Sequence, residues 1–477
     1  MRIVFLTMTT TRLSNFALAI FALTLVAPSS ASATQSDQLP RNEVIEKIVC
    51  KADAQQSYSL YLPADYTPRK KWPIIYAFDP GARGKLTVNL FKEAAAKYGF
   101  IVAGSNNSRN GIQVSDIVKA LWVDTHERFS IDERRVYTAG FSGGARVAFA
   151  VGLIYRVAGV IACSGGFPRA EAPSPSTPFV IFGTAGTDDF NFPEMQQLRR
   201  KLDAAGVRNR LAIFDGGHDW APANLCAEAV AWMELEAMKA GFRVKDDILI
   251  DELFNGQLKE ARTLEAANQL YSGYEKYDGI VAQFRGLRNV SEIEARTQTL
   301  RVSKEINAAR KNERAEEEKQ ANRAAKLQSL IAQLPDPATS FSATAELKAA
   351  IRDLTRDSEM TEDLSRRRVA RRVLQEIFVQ SYEEANANYL KKNYEVIPAQ
   401  LEIAAQLRPT DARVFYDLAV AYSRLGKKKQ GLSALNRAIE NGFADLAGIE
   451  QNQDFASLRS ETGYQKVVME LRKRQSL

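Results

Sequence analysis

Residues 135–150 constrain this chain more than any other stretch. Arg135 to Ala139 is rich in β-forming residues and reads as a short buried strand. Gly140-Phe141-Ser142-Gly143-Gly144 follows at once, and Gly144 to Ala150 reads as a helix that begins on small residues. A strand that turns directly into a helix holds the serine between them in a strained backbone conformation. Its neighbours must therefore lack bulky side chains. Gly140, Gly143 and Gly144 meet that requirement. The serine then stands at a helix N-terminus, where the partial positive charge favours a developing anion.

The sequence on either side supplies a sheet for this turn. Val44 to Pro63 alternates like an opening hairpin, and Trp72 to Phe78 and Phe100 to Gly104 read as buried strands. Leu90 to Tyr98 and Val114 to Phe129 read as the helices among them. After the turn come strands at 157–163, 179–183 and 210–215, with helices at 193–205 and 221–240. Strands alternating with helices predict an α/β fold, a mostly parallel sheet with helices on both faces. Ligands bind outside the carboxyl ends of such strands, where the polar loops of this chain fall.

Near Asp246 the strand signals stop. The rest is rich in Ala, Glu, Lys and Arg and reads as an all-α region. Residues 246–377 are a helical linker in which Ser291 to Leu334 forms one long charged helix, solvated rather than coiled-coil because its heptad register is weak. Residues 378–477 resemble two tetratricopeptide repeats and a closing helix from Asp454 to Leu471, a helical-repeat domain suited to docking a protein partner. Phe415, Leu418, Ala419, Tyr422, Gly426, Leu435 and Ala438 stand at packing positions of the second repeat, with Gly431 where alanine is usual.

With 477 residues the chain exceeds one ordinary core, and 45% hydrophobic with 25% charged residues is the balance of a globular protein. The formal charge of +7 is mild and spread out, which argues against nucleic acid as a partner. At the N-terminus Arg2 and Arg12 flank a polar start, Phe16 to Val26 is an apolar run too short to span a bilayer, and Ala31-Ser32-Ala33 offers a small-x-small cleavage site. Residues 1–33 are thus expected to be a signal peptide. The mature protein (34–245 as the sheet domain, then the helical part) is expected to be periplasmic or secreted, with no stable membrane insertion. Of the three cysteines, Cys163 lies in an apolar strand, which leaves Cys50 and Cys226 as the pair for a disulfide. No metal-ligand spacing occurs.

A serine at such a turn needs a base and an acid, in the chain order Ser, Asp or Glu, His. Only His126 and His218 exist. His126 precedes the serine on a covering helix. His218 follows it at the end of the last strand, in Gly216-Gly217-His218-Asp219-Trp220. Asp188 and Asp189 end the preceding strand; neighbours in an extended loop point opposite ways, so one of them orients the imidazole, and Asp189 is favoured. Glu194 is the third choice. In these roles Ser142 attacks a carbonyl, His218 takes its proton and Asp189 holds the imidazole. The N–H of Gly143 and one from Gly81 or Ala82 are the expected oxyanion donors, because Pro80 cannot donate. Asp79 reads as a loop brace. Asn106, Arg109 and Trp220 are the candidate substrate contacts.

On the Gly140–Gly144 turn, Asp189 and His218, residues 44–240 resemble the α/β-hydrolase superfamily. The likeness is to its lid-poor, secreted branch of feruloyl esterases, polyhydroxybutyrate depolymerases and dienelactone-hydrolase-like proteins. The resemblance implies hydrolysis of esters, or less often amides, with no cofactor. Asp79-Pro80-Gly81 stands where many relatives have His-Gly-Gly. The segment from Cys163 to Phe179 is too short for a cap domain, so an open cleft is expected. Peptide hydrolysis on the same residues, or a fold retained only as a binding scaffold, are the alternatives.

Overall fold

The computed structural model describes residues 38–168 and 171–475, so the expected signal peptide lies outside the described residues. β1 (Val44–Val49) and β2 (Ser57–Tyr61) form the opening hairpin and pair antiparallel. β3 (Trp72–Phe78), β4 (Ile101–Ser105), β5 (Ile131–Phe141), β6 (Gly159–Cys163), β7 (Val180–Gly186) and β8 (Asn209–Phe214) run parallel. The hairpin joins through β2, which lies antiparallel to β4. The spatial order is β1-β2-β4-β3-β5-β6-β7-β8, the sheet of the α/β-hydrolase fold. Every residue of β3, β4 and β6 is buried, as apolar strands covered on both faces must be.

Five helices cover the sheet: α1 (Gly84–Tyr98), α2 (Ser115–Arg128), α3 (Gly143–Tyr155), α4 (Phe192–Ala204) and α5 (Ala223–Lys239). α2, α3 and α4 bury Val118, Leu121, Phe149 and Leu198 on one face. α1 and α5 bury Phe91, Ala95, Val230 and Trp232 on the other. These two faces decide the cysteines. Cys50 belongs to the first core, Cys163 and Cys226 to the second, with the sheet between Cys50 and Cys226. The expected Cys50–Cys226 disulfide does not form, and all three thiols are free and buried. Burial pushes the Cys50 and Cys163 thiols up to about 11. Thiol titration of the denatured, unreduced protein should therefore find three reactive thiols. A count of one would restore the bridge.

From Asp247 onward the described residues contain helices and no strand. They are α6 (Asp247–Ala266), α7 (Leu270–Phe284), α8 (Ser291–Arg301), α9 (Lys304–Gln333), α10 (Ser340–Ser358) and α11 (Leu364–Leu390), then α12 (Ile397–Leu407), α13 (Ala412–Arg424), α14 (Lys428–Glu440), α15 (Leu446–Glu450) and α16 (Thr462–Gln475). The single helix expected over 291–334 is two. Ser303 ends the first by capping the second, its Oγ accepting from the Ile306 N–H at 3.3 Å. Nor is α9 a solvated arm. Ala324, Leu327 and Leu330 are buried with Leu347 and Leu354 of α10 and Val373 and Ile377 of α11. The closing helix starts only at Thr462, because Asp454 lies in a 3-10 turn. α13 and α14 bury Phe415, Leu418, Ala419, Tyr422, Leu435 and Ala438 in one core. A Cβ on Gly431 would come within 3.2 Å of the Leu458 side chain and 3.5 Å of the Ala419 carbonyl oxygen, so a methyl there requires Leu458 to give way.

Candidate active site

The turn after β5 folds as its glycines require. Ser142 sits at φ 53° and ψ −117°, a conformation costly for a residue with a side chain, at the residue just before α3, and its hydroxyl makes no capping bond to the helix. A Cβ on Gly140 would lie 2.1 Å from the Gly144 carbonyl oxygen, and one on Gly144 2.0 Å from that of Phe78. Backbone, not a flexible side chain, fills both spaces. Gly140→Ala and Gly144→Ala are each expected to cost about 3 kcal/mol or more, measured by urea unfolding.

β5, β7 and β8 then bring three side chains together above the sheet. His218 Nε2 lies 2.9 Å from Ser142 Oγ, and His218 Nδ1 lies 2.8 Å from Asp189 Oδ1. The imidazole is 8% exposed and the Asp189 carboxylate fully buried. Phe190 and Phe141 flank the imidazole with ring centroids at 4.2 and 4.7 Å, which limits water around it. Asp189 Oδ1 also accepts the Asn191 N–H at 2.8 Å, fixing the carboxylate within its own loop. Asp188 turns away and pairs with Arg371 at 2.7 Å. Glu194 is committed elsewhere: it takes both terminal nitrogens of Arg146, at 2.9 and 3.0 Å, and the Gly166 N–H. His126 packs between Trp122 and Tyr76 on α2, away from this group.

The expected oxyanion donors fare unequally. Gly143 opens α3, and its N–H meets no acceptor among the described residues. The N–H groups of Gly81 and Ala82 are both occupied, Gly81 donating to Asp79 Oδ1 at 2.8 Å and Ala82 to the Asp79 carbonyl at 3.1 Å. They are not preset donors to a substrate, because Asp79 captures them. The Asn110 amide packs directly on Gly143, where an added Cβ would lie 1.9 Å from Asn110 Oδ1. Its Nδ2 donates to Glu383 of α11 at 2.7 Å.

Trp220 is a brace rather than a substrate contact. It is buried, and its Nε1 donates to Asp79 Oδ2 at 2.8 Å. Asn106 is likewise turned from the site, accepting from Ser59 Oγ at 3.0 Å and donating to the Glu46 carbonyl. Arg109 is exposed, its backbone bridged to Gly81. Asp79 itself joins the loop after β3 to the histidine loop. Burial alone would raise its carboxyl, but hydrogen bonds from Arg83, Trp220 and the Gly81 N–H outweigh this and hold it below the usual carboxylate range. Asp79→Ala strands the buried Trp220 N–H and should cost about 1–3 kcal/mol at pH 7. A carboxyl depressed in the folded state stabilises above its unfolded pKa and loses that contribution as pH falls through the folded one. The stability difference between wild type and variant, measured by denaturation, should therefore narrow as pH falls below the ordinary carboxylate range.

A histidine between a serine and a buried carboxylate can take the serine proton as Oγ attacks, then return it to a leaving group. The surprise of the site is the helical region beside it. Arg371, Arg372, Gln375 and Glu383 of α11 reach the loops that carry Asp189, His218 and Asn110. The sequence holds little sign of this, since nothing in the run Arg366–Arg372 sets one arginine apart from the next.

No family model matches the chain, and no curated protein matches its sequence. Among solved structures it is similar to a fluorophosphonate-binding serine hydrolase of Staphylococcus aureus, at 13% identity and a TM-score of 0.34 over 40% of this chain and 97% of that one. It is also similar to the feruloyl esterase module of Clostridium thermocellum, at 16% identity and a TM-score of 0.31 over 39% and 85%. A third is an esterase of the archaeon Pyrobaculum calidifontis, at 13% identity and a TM-score of 0.35 over 42% and 86%.

Proposed function

We propose that this chain is an exported serine hydrolase that cleaves carboxylic esters through an acyl-enzyme. The observation that carries the reading is the hydrogen-bonded sequence Ser142–His218–Asp189 at the carboxyl ends of β5, β8 and β7. His218 Nε2 removes the Ser142 proton as Oγ attacks the ester carbonyl. Asp189 accepts from Nδ1, fixes the tautomer and stabilises the imidazolium. The oxyanion forms at the N-terminus of α3, with the Gly143 N–H as donor and the Asn110 amide beside it. His218 then protonates the leaving alcohol, and water repeats the sequence to release the acid. No step calls on a metal or cofactor.

Export rests on the N-terminal pattern alone. No helix among the described residues is long and apolar enough to cross a membrane. The pairs α11–α12 and α13–α14 suit a tetratricopeptide-like module for a protein partner, a reading supported by the buried packing positions of α13 and α14.

The test is a fluorophosphonate probe. It should label the intact protein at Ser142 and leave Ser142→Ala unlabelled. An intact, folded protein that does not label would overturn the reading in favour of a binding scaffold. Among proteins that label, p-nitrophenyl acetate should turn over and peptide p-nitroanilides should not. The reverse preference would make the chain a peptidase.

A further inference from the structure

The acid of the site is held from outside the sheet domain. Asp189 lies in the loop between β7 and α4, and its neighbours on both sides are gripped by α9 and α11. Arg372 donates through Nε to the Thr187 carbonyl at 2.8 Å, and through Nη2 to the same oxygen. Its guanidinium lies over the Phe192 ring, 4.1 Å from the centroid. Gln320 of α9 donates to the Phe190 carbonyl at 2.8 Å and to Glu376 of α11 at 3.2 Å. Arg371 pairs with Asp188. Thr187, Asp188, Phe190 and Phe192 are thus each tied to the helical region, and Asp189 is the residue between them that faces the imidazole.

Arg372 is an unusual residue for such a tie. It is 1% exposed, and a buried guanidinium carries a heavy desolvation cost. Burial depresses its pKa below the usual arginine value, opposed first by Glu316, whose carboxylate is 3.7 Å away. A surface helix that merely packs on a neighbour has no need of this charge. Packing alone would be served by an apolar residue of the same volume, often with a gain in stability. What the guanidinium does that a methionine cannot is hold one backbone carbonyl with two donors in a fixed plane.

We propose that Arg372 and Gln320 are positioning residues for catalysis, holding the 187–191 loop so that Asp189 Oδ1 meets His218 Nδ1. The helical region is then part of the catalytic unit as well as a surface for partners. This inference rests on the hydrolase reading above. Misplacing a catalytic group by about 1 Å costs on the order of a hundred-fold in rate. The effect is expected on kcat, because both residues bond carbonyls of the loop that carries Asp189 and neither bonds Ser142 or His218.

The experiment uses the full chain with p-nitrophenyl acetate as the probe. Arg372→Lys keeps the charge and loses the planar pair of donors. Gln320→Met keeps the volume and is neutral. Circular dichroism and thermal melting first establish that each variant is folded. Arg372→Lys should lower kcat by about ten- to a hundred-fold with KM within about two-fold of wild type. Gln320→Met should lower it by several-fold in the same manner. Wild-type kcat in both folded variants, or a raised KM with kcat unchanged, would overturn the proposal. If Arg372→Lys does not fold, Gln320→Met alone decides it. A wild-type protein that fails to label with the fluorophosphonate defeats the hydrolase reading instead, so the two failures are distinct.

Discussion

Replacing Ser142 with alanine should lower kcat by about a million-fold, equivalent to about 8 kcal/mol of transition-state stabilisation. His218→Ala should cost nearly as much, and the double variant hardly more than either. Ser142 Oγ is bonded to His218 Nε2 at 2.9 Å, so removing either group ends the same proton transfer. What remains is the N-terminus of α3, which can still polarise a carbonyl for attack by water. The fold should not suffer, because Ser142 Oγ makes no other side-chain hydrogen bond among the described residues. Steady-state turnover of p-nitrophenyl acetate, with melting temperature as control, measures all three variants. A Ser142→Ala protein that keeps a tenth of wild-type activity would mean that another nucleophile does the chemistry.

The site was legible in the sequence where local constraint is severe. Three glycines around Ser142 supply the room that so tight a turn demands, and two histidines leave one with the right chain order. Fully apolar runs such as Trp72–Phe78 admit only a strand buried on both faces. What was not legible depends on contacts made across the chain. Gly81 and Ala82 look like donors until Asp79 is seen to hold their N–H groups, and Asp79 is itself held by Trp220, 141 residues away. Cys50 and Cys226 look like partners by elimination, but a sequence does not say which face of a sheet each will occupy. The break between α8 and α9 has no proline or glycine to mark it, only the Ser303 cap within a charged run. The grip of α11 on the acid loop is hidden for a related reason. Arg371 and Arg372 are adjacent and identical in type, yet one is half-exposed on Asp188 and the other is buried on a carbonyl.

Asp189→Asn should lower kcat by about ten-thousand-fold, while Asp188→Asn changes it by no more than about three-fold. The two residues are neighbours with the same side chain, so their comparison isolates position from chemistry. Asp189 Oδ1 alone carries the bond to His218 Nδ1 and the one from the Asn191 N–H; Oδ2 is buried with no donor among the described residues. Asparagine fits this space but offers an N–H as well as a carbonyl. With its N–H towards Nδ1, it favours the tautomer that carries its proton on Nε2, where it cannot accept from Ser142. With its carbonyl there, the tautomer is right but the charge that stabilises the imidazolium is gone. Either way the loss appears in kcat and in the rate of fluorophosphonate labelling. Asp188→Asn removes only the partial ion pair to Arg371, on the side of the loop away from the imidazole, and pairs of that exposure contribute up to about 1 kcal/mol. Its effect should therefore appear in melting temperature rather than in rate. A large loss in Asp188→Asn with Asp189→Asn unaffected would require the loop to turn over in solution. The tie from Arg372 to Thr187 resists that motion, so the same result would also weaken the role given to α11.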